Sequence, residues 1–524
     1  MIFFLRELMN KLTPRFTLAA LLFAAASAQA QTAPSSAPFL RASIASTDAA
    51  NKLAAELGLP VPDLKMLLEK NFPFLGKDAM AGDKPLGVLF FSSDALPMGD
   101  QNIVFVLPAN AGKLTPESLL QQGGRSIPEQ PGLVNLSGMS FRRSATDLLF
   151  KQGASDFLAA VADSPFAADY RQPRTLGLLS FNLATFKKTQ SASYREFMDG
   201  IKGNPDRATS SPDEKMGQAM AEDFIDHLEK VTVAIGQDDT SLHLKTWLSP
   251  FAVKAVKPMP QPGFPADAIL QVHVVYPGGA EWLGNYFEKM PNEAFNGLTP
   301  EDVGKAKPLM KRASNLFFDG DAVSVAVVVR KGKPVVFLVA QRSKPANYAA
   351  ELKTITDEVK SIGKKEAQPA SEISTYSSGN TTVTRLAIGN PSSDDRVYID
   401  AIEQGNILMF TFSPDTGHYV SELPVLGMKG TTSVICAGVL DLQGALSAGA
   451  DGGGPFAMMP PNTLQSLRAA FAGQAISWTV QTGTAGEGQA NYLYGDLQVP
   501  TVVVKQLAQL AVTELGISPS PTGQ

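Results

Sequence analysis

Four histidines, His227, His243, His273 and His418, are the side chains best suited to general-base or ligand chemistry near neutral pH. Their placement points to neither role. No His-Glu-x-x-His, no His-x-His and no Cys/His pair at ligand spacing occurs, so no zinc site is predicted. His227 belongs to an acidic helical stretch, His243 and His273 sit in strand-like runs (Leu242-His243-Leu244 and Val272-His273-Val274), and His418 follows Gly417 in a loop. Each reads as a solvated or hydrogen-bonded structural histidine. Glu222, Asp223 and Asp226 could supply paired carboxylates, but glycoside hydrolysis needs its two carboxyls on opposite sides of a cleft. Here they share one face of a helix whose other face carries Met216, Met220, Phe224 and Leu228.

Asp238-Asp239 and Asp394-Asp395 fall at expected hairpin turns, where Asp bonds its own backbone, and two adjacent Asp are too few oxygens for calcium. Asp451 with Gly452-Gly453-Gly454 resembles a phosphate cradle only superficially. It runs into Pro455 and Met458-Met459-Pro460-Pro461 rather than a helix N-terminus with Lys, so it reads as a loop. Nucleophile-elbow, Walker and dinucleotide-binding glycine patterns are absent from the chain. Cys436 is the single cysteine; it excludes an intramolecular disulfide, and its apolar run Ser433–Val439 predicts a buried, inert thiol. Trp282, Tyr286 and Phe287 share a helix, and Trp247 and Trp478 occupy corresponding hairpins, all read as packing residues. No catalytic residue, metal ligand or cofactor-binding residue is assigned, and no cofactor is expected.

The elements that carry these residues follow an order that recurs. Strand Phe39–Ser46, helices Asp48–Leu57 and Asp63–Phe72, and strands Leu86–Ser92 and Ile103–Leu107 match strand Ala268–Tyr276, helices Ala280–Met290 and Pro300–Ala313, and strands Val323–Arg330 and Val335–Ala340. Gly82-Asp83-Lys84 and Gly320-Asp321-Ala322 precede the strands alike, as turns that suit positive φ. Helix 116–121 then matches 347–362, where Leu352, Ile355, Val359 and Ile362 make one apolar face. Strand 147–150 matches 407–412. A strand-to-helix entry at 174–186 matches 431–446, and the hairpins Val231–Ile235/Ser241–Trp247 match Ile476–Gln481/Gln489–Gln498. Alternation in those hairpins, such as Ile476, Trp478 and Val480 against Ser477 and Thr479, predicts a sheet with one packed and one wetter face.

The predicted fold class is therefore α+β: two duplicated halves, each of antiparallel sheets with helices packed on one face. The halves span 39–249 and 266–499, joined by a Pro-rich linker at 250–265 and followed by a C-terminal helix at 500–517. Residues 31–38 and 518–524 read as disordered Ser/Pro/Thr-rich tails. Residues 1–30 have the three parts of a secretory signal peptide: basic Arg6, Lys11 and Arg15, the apolar run Phe16–Ala26, and Ala28-Gln29-Ala30. That run is shorter than the roughly 20 residues of a span. Met9 would open a more usual signal peptide than Met1. No span is expected in the mature chain, whose net charge moves from −5 to −7 when Arg6, Lys11, Arg15 and Glu7 are removed. With 45 Lys+Arg against 50 Asp+Glu and no basic stripe, nucleic acid is excluded as a partner.

The succession VVFLVAQRSKPANYAAELKTI, then NILMFTF, then TTSVICAGVLDLQGAL resembles large exported bacterial proteins of tandem α+β modules, a family defined by a domain of unknown function. The resemblance covers most of the mature chain and carries over no site residue. It implies a periplasmic or secreted protein with an unknown ligand or envelope protein as partner. The expected function is a non-catalytic binding or scaffold role, the alternative being an extracytoplasmic hydrolase whose carboxylates converge from distant loops. Cleavage before Gln31 is expected, and N-terminal sequencing of the exported protein should begin Gln31-Thr32-Ala33; a chain still carrying Phe16–Ala26 would show a retained anchor instead.

Overall fold

The computed structural model describes residues 38–514 except 92–101, 153–157, 171–173, 190–193, 196–224, 251–260, 276–283, 293–297, 343–346, 363–370, 390–395, 428–433, 452–458, 484–491 and the isolated positions 60, 77, 129, 159, 160, 168, 285, 286, 289, 291, 321, 361, 423 and 424. The signal peptide, both tails, the glycine run 452–454 and Asp394-Asp395 lie outside the described residues. Among them, no helix is long and apolar enough to cross a membrane, which says nothing of a β-barrel.

Two compact units divide the chain. The first takes residues up to 201, 224–250 and 498 onward, and the second is built on 251–497. In the first unit, β1 (Leu40–Ile44), β2 (Leu86–Phe91), β3 (Asn102–Pro108), β4 (Arg125–Ser126), β5 (Leu133–Leu136), β6 (Met139–Arg143), β7 (Asp147–Gln152), β8 (Thr175–Asn182), β9 (Lys230–Gln237) and β10 (Ser241–Ser249) alternate with α1 (Thr47–Glu56), α2 (Leu64–Asn71), α3 (Pro116–Gln121) and α4 (Leu183–Thr189). Hydrogen bonding runs β4-β5-β6-β7-β3-β2-β1-β8-β9-β10, antiparallel throughout.

The second unit contains β11 (Gln261–Gly263), β12 (Leu270–Val275), α5 (Pro300–Phe318), β13 (Ala322–Arg330), β14 (Lys333–Gln341), α6 (Tyr348–Val359), β15 (Ser371–Ser378), β16 (Thr381–Ile388), β17 (Val397–Gln404) and β18 (Ile407–Ser413). Then come β19 (Val425–Gly427), β20 (Val434–Asp441), α7 (Leu442–Asp451), α8 (Pro461–Ala470), β21 (Ala475–Gly483) and β22 (Tyr492–Pro500). Its pairing runs β15-β16-β17-β18-β14-β13-β12-β20-β21, again antiparallel, and follows the chain order in which β4 through β9 pair in the first unit. The terminal helix α9 (Thr501–Glu514) groups with the first unit, where Thr501 N–H donates to the Thr240 carbonyl at 2.8 Å.

The α+β expectation of duplicated halves with helices on one sheet face is corrected by this arrangement. Each unit is built on an antiparallel sheet, β1 to β10 in the first and β12–β18, β20 and β21 in the second, with β11 and β19 as a separate pair, so strands and not helices dominate. Core also forms on both faces. In the first unit Leu68 of α2, Leu75 and the partly buried Phe72 and Phe74 close one side over Leu86, Phe105, Leu107 and Phe150. Leu158, Val161 and Phe166 close the other over Leu89, Val104, Val106 and Leu149. The unbroken apolar runs of β3, β7 and β18 are the reason: a strand apolar on both faces needs cover on both.

In the second unit, Leu309 and Leu316 of α5 with Tyr348, Leu352 and Ile355 of α6 pack on Leu386, Ile399, Leu408 and Phe410. The opposite face buries Ala326, Val328, Val335 and Phe337 against Tyr419, with the partly buried Phe264 beside them. Along α6 the buried face begins at Tyr348, and Val359, expected on it, is exposed. Thr299 and Asn347 cap α5 and α6 by accepting from Asp302 N and Ala350 N, and each fixes where its helix begins.

Gly82 and Gly320 are needed for closeness rather than for positive φ, which neither adopts. A Cβ on Gly320 would stand 1.6 Å from the Gln341 carbonyl oxygen, whereas on Gly82 it would meet only the Asp48 carboxylate, at 2.4 Å. Backbone cannot step aside as a side chain can. Gly320→Ala should therefore destabilise the protein by about 3 kcal/mol, the upper end for overpacking, and Gly82→Ala by clearly less, read from urea midpoints.

Candidate functional site

The four histidines fall on different elements. His243 Nε2 lies 2.9 Å from Asp238 Oδ2 across the β9–β10 turn, and the Asp238 carboxylate also accepts from Thr240 N and Ser241 N. Those bonds, that from His243 first, hold Asp238 well below the ordinary carboxylate range. His273 Nδ1 is 2.6 Å from Ser324 Oγ, its directly paired neighbour, and burial pulls the imidazole pKa down. A Ser–His couple of this kind could activate a nucleophile only if the hydroxyl met a substrate, and Ser324 is fully buried. His418 packs edge-on against Tyr376, ring centroids 4.5 Å apart. His227 lies in a helical turn of the first unit, whereas His273 and His418 belong to the second.

Cys436 is half-buried rather than enclosed, and burial pushes its thiol up, away from thiolate chemistry. Its strand neighbour Gly438 leaves the space taken by the Trp478 indole, whose Cζ2 would lie 2.1 Å from a Cβ there. Among the described residues no group of three or more His, Cys, Asp or Glu could hold a metal ion. Glu222, Asp223, Trp282 and Tyr286 lie outside the described residues.

A charged cluster that spacing could not reveal occupies β15–β17. Arg385 and Asp400 pair directly across β16 and β17, with Arg385 Nε to Asp400 Oδ1 at 2.6 Å and Nη2 to Oδ2 at 2.7 Å. Tyr376 Oη donates to Asp400 Oδ2 at 2.9 Å, and Arg385 Nη2 reaches the Gly417 carbonyl at 2.9 Å. The guanidinium stands 5.3 and 5.2 Å from the Tyr376 and Tyr398 rings. Burial, then the bond to Asp400, drives the Tyr376 phenol above its ordinary range. Every strong donor here already has its acceptor, so the cluster pins the 413–419 loop to the sheet.

The other face of the same strands is open at one end. Thr375, Thr384 and Ala401 form one row across β15, β16 and β17, and Thr382 and Glu403 follow on the same face because side chains alternate along a strand. Two residues in the opposite direction, that face carries Ile373, Leu386 and Ile399 beneath α5 and α6. Where the row turns polar, the start of α6 at Asn347 and Ala349 makes the wall of a groove of about 770 Å³ that Asn380 and Gln404 also line.

Among the described residues that line the groove, Glu403 is the one ionisable side chain. Burial pushes its carboxyl up, opposed by the Tyr348 N–H at 2.7 Å, by Arg342, whose Nη1 is 3.9 Å away, and raised further by Glu351. Arg342 is only 7% exposed, and its Nε and Nη1 have no hydrogen-bond partner. None of these residues stood out in the sequence. The one legible signal was Thr381-Thr382-x-Thr384, hydroxyls where a strand of a packed sheet would carry apolar side chains.

No family model matches the chain, and no curated protein matches it. Among solved structures, one titled "Structure of crystal form III of TP0453" is similar over 50% of this chain and 99% of that one, at 12% identity and a TM-score of 0.20. A likeness that loose carries no argument.

The Arg385–Asp400 pair yields a stability test, since removing one partner leaves a buried charge unpaired. Asp400→Ala should cost about 3–5 kcal/mol, and a double variant Arg385→Met/Asp400→Leu should recover much of that loss, both measured by thermal and urea unfolding.

Proposed function

We propose that this chain is an exported, non-catalytic binding protein of the bacterial envelope. The observation that carries the reading is the groove at the start of α6, where hydroxyl, amide and carboxylate side chains from four elements converge on one open space. Its size falls in the range of small-ligand sites, about 300–1,000 Å³. Two ionisable sets elsewhere, Arg385–Asp400 and His273–Ser324, are spent internally. Export rests on the signal-peptide pattern of residues 1–30 and on the resemblance to exported bacterial proteins.

The hydrolase alternative would place a second carboxylate across from Glu403, about 5–9.5 Å away. Glu403, its carboxyl raised by burial, would be its acid. The binding reading predicts that thermal unfolding of the exported protein shifts upward by several degrees with one class among glycans, peptides, lipids and divalent metals. A ligand at 100 times its Kd adds about 2.7 kcal/mol. No shift with any class would overturn binding of a small ligand, and release of a cleaved product would replace binding by hydrolysis.

A further inference from the structure

We infer that the groove of the second unit takes a neutral, polyhydroxylated ligand, a short glycan segment, with the Glu403 carboxylate as its anchoring acceptor. This rests on the binding reading above and names its ligand class. The chemistry of the lining selects the class. Thr375, Thr382 and Thr384 offer hydroxyls that both donate and accept, while Asn347 and Gln404 offer amides that do the same. An apolar ligand would strip water from these groups and return no hydrogen bond, a loss for each of them.

Charge excludes the next class. Among the described residues no Lys or Arg lines the groove, so a phosphate or carboxylate ligand would meet the Glu403 carboxylate there, and Arg342 behind it is already shared between Glu403 and Glu351. A carboxylate can only accept, so its match is a ligand O–H, and hydrogen bonds to a charged acceptor are the stronger kind.

The structure around Glu403 fixes it for that use. The Tyr348 N–H, at the first turn of the 12-residue α6, donates to Glu403 Oε1 at 2.7 Å. Arg342 stands behind, 3.9 Å from Glu403 and 3.6 Å from Glu351, more than nine-tenths buried and with Nε and Nη1 unpartnered. A buried guanidinium this poorly satisfied is costly, and its field favours the carboxylate of Glu403, opposing the burial that pushes that carboxyl up. The outcome is an oriented carboxyl acceptor in a wall of hydroxyl and amide groups, on a sheet.

Calorimetric titration of the full exported protein tests this with chitotriose and maltotriose, against inorganic phosphate and a neutral tripeptide. At least one trisaccharide should bind, and Thr382→Val and Glu403→Gln should each weaken it about tenfold. Thr382 is exposed, so its variant should keep the wild-type melting temperature and serves if Glu403→Gln disturbs the start of α6. Binding of neither trisaccharide, or equal binding by both variants, overturns the inference. Phosphate or tripeptide binding that Thr382→Val weakens overturns the glycan assignment alone and leaves the binding reading standing. A trisaccharide that binds and is cut keeps the ligand class and overturns the non-catalytic reading.

Discussion

A strand covered by apolar side chains on both faces has no water for its backbone, so its N–H and C=O groups must all be met by neighbouring strands. That constraint governs the molecule. β7 and β18 are buried along almost their whole length, and each is flanked on both sides by antiparallel partners, β3 and β6 for the former, β14 and β17 for the latter. From these central strands the hairpins extend outward in a fixed order, and the helices and loops on either face are there to close them. The two-residue turns Ser137-Gly138 and Lys331-Gly332, both at positive φ, keep the register that puts each apolar row under its cover.

Ionisable groups in such a sheet are either paired internally or placed at its open ends. Arg41 shows the first case in the first unit: it donates to Asp169 and to the Pro165 carbonyl, both at 2.6 Å, beside a Ser43–Tyr170 hydroxyl pair at 2.9 Å. Burial raises Asp169 and Tyr170 alike, the expected consequence of desolvating an acid. Like Arg385 with Asp400, this set ties a loop to a strand. Glu403 shows the second case, a carboxylate at the edge of a core where the apolar face of β15–β17 gives way to hydroxyls.

The proposed function rests on that transition. The same face serves as core beneath α5 and α6 and as groove floor two residues further along, so the rigidity that packing supplies to Leu386 and Ile399 is shared by Thr384 and Glu403. A site on strands rather than on loops holds its donors and acceptors in place before a ligand arrives, which lowers the cost of binding. The exported protein proposed here would then recognise its ligand through preset polar contacts, with chain order alone giving no sign of them.

The amino-acid order by itself determined the positions of most strands and helices, because hydrophobic period and turn chemistry are local: the hairpin at Val231–Trp247 and helix α6 could both be read directly. It also determined that the histidines are dispersed and that Asp238 belongs to a turn. It could not determine the strand order of each unit's sheet or that core forms on both of its faces, since which edge meets which is decided by pairing between residues far apart in the chain. The reason for Gly320 lay equally out of reach, for the Gln341 carbonyl that excludes a side chain there is brought in by the β13–β14 hairpin. The groove is the strongest instance. Thr375, Thr384 and Glu403 become neighbours only through cross-strand register, and Arg342 approaches Glu403 only because β14 pairs with β18, where the Arg342 N–H donates to the Asn406 carbonyl.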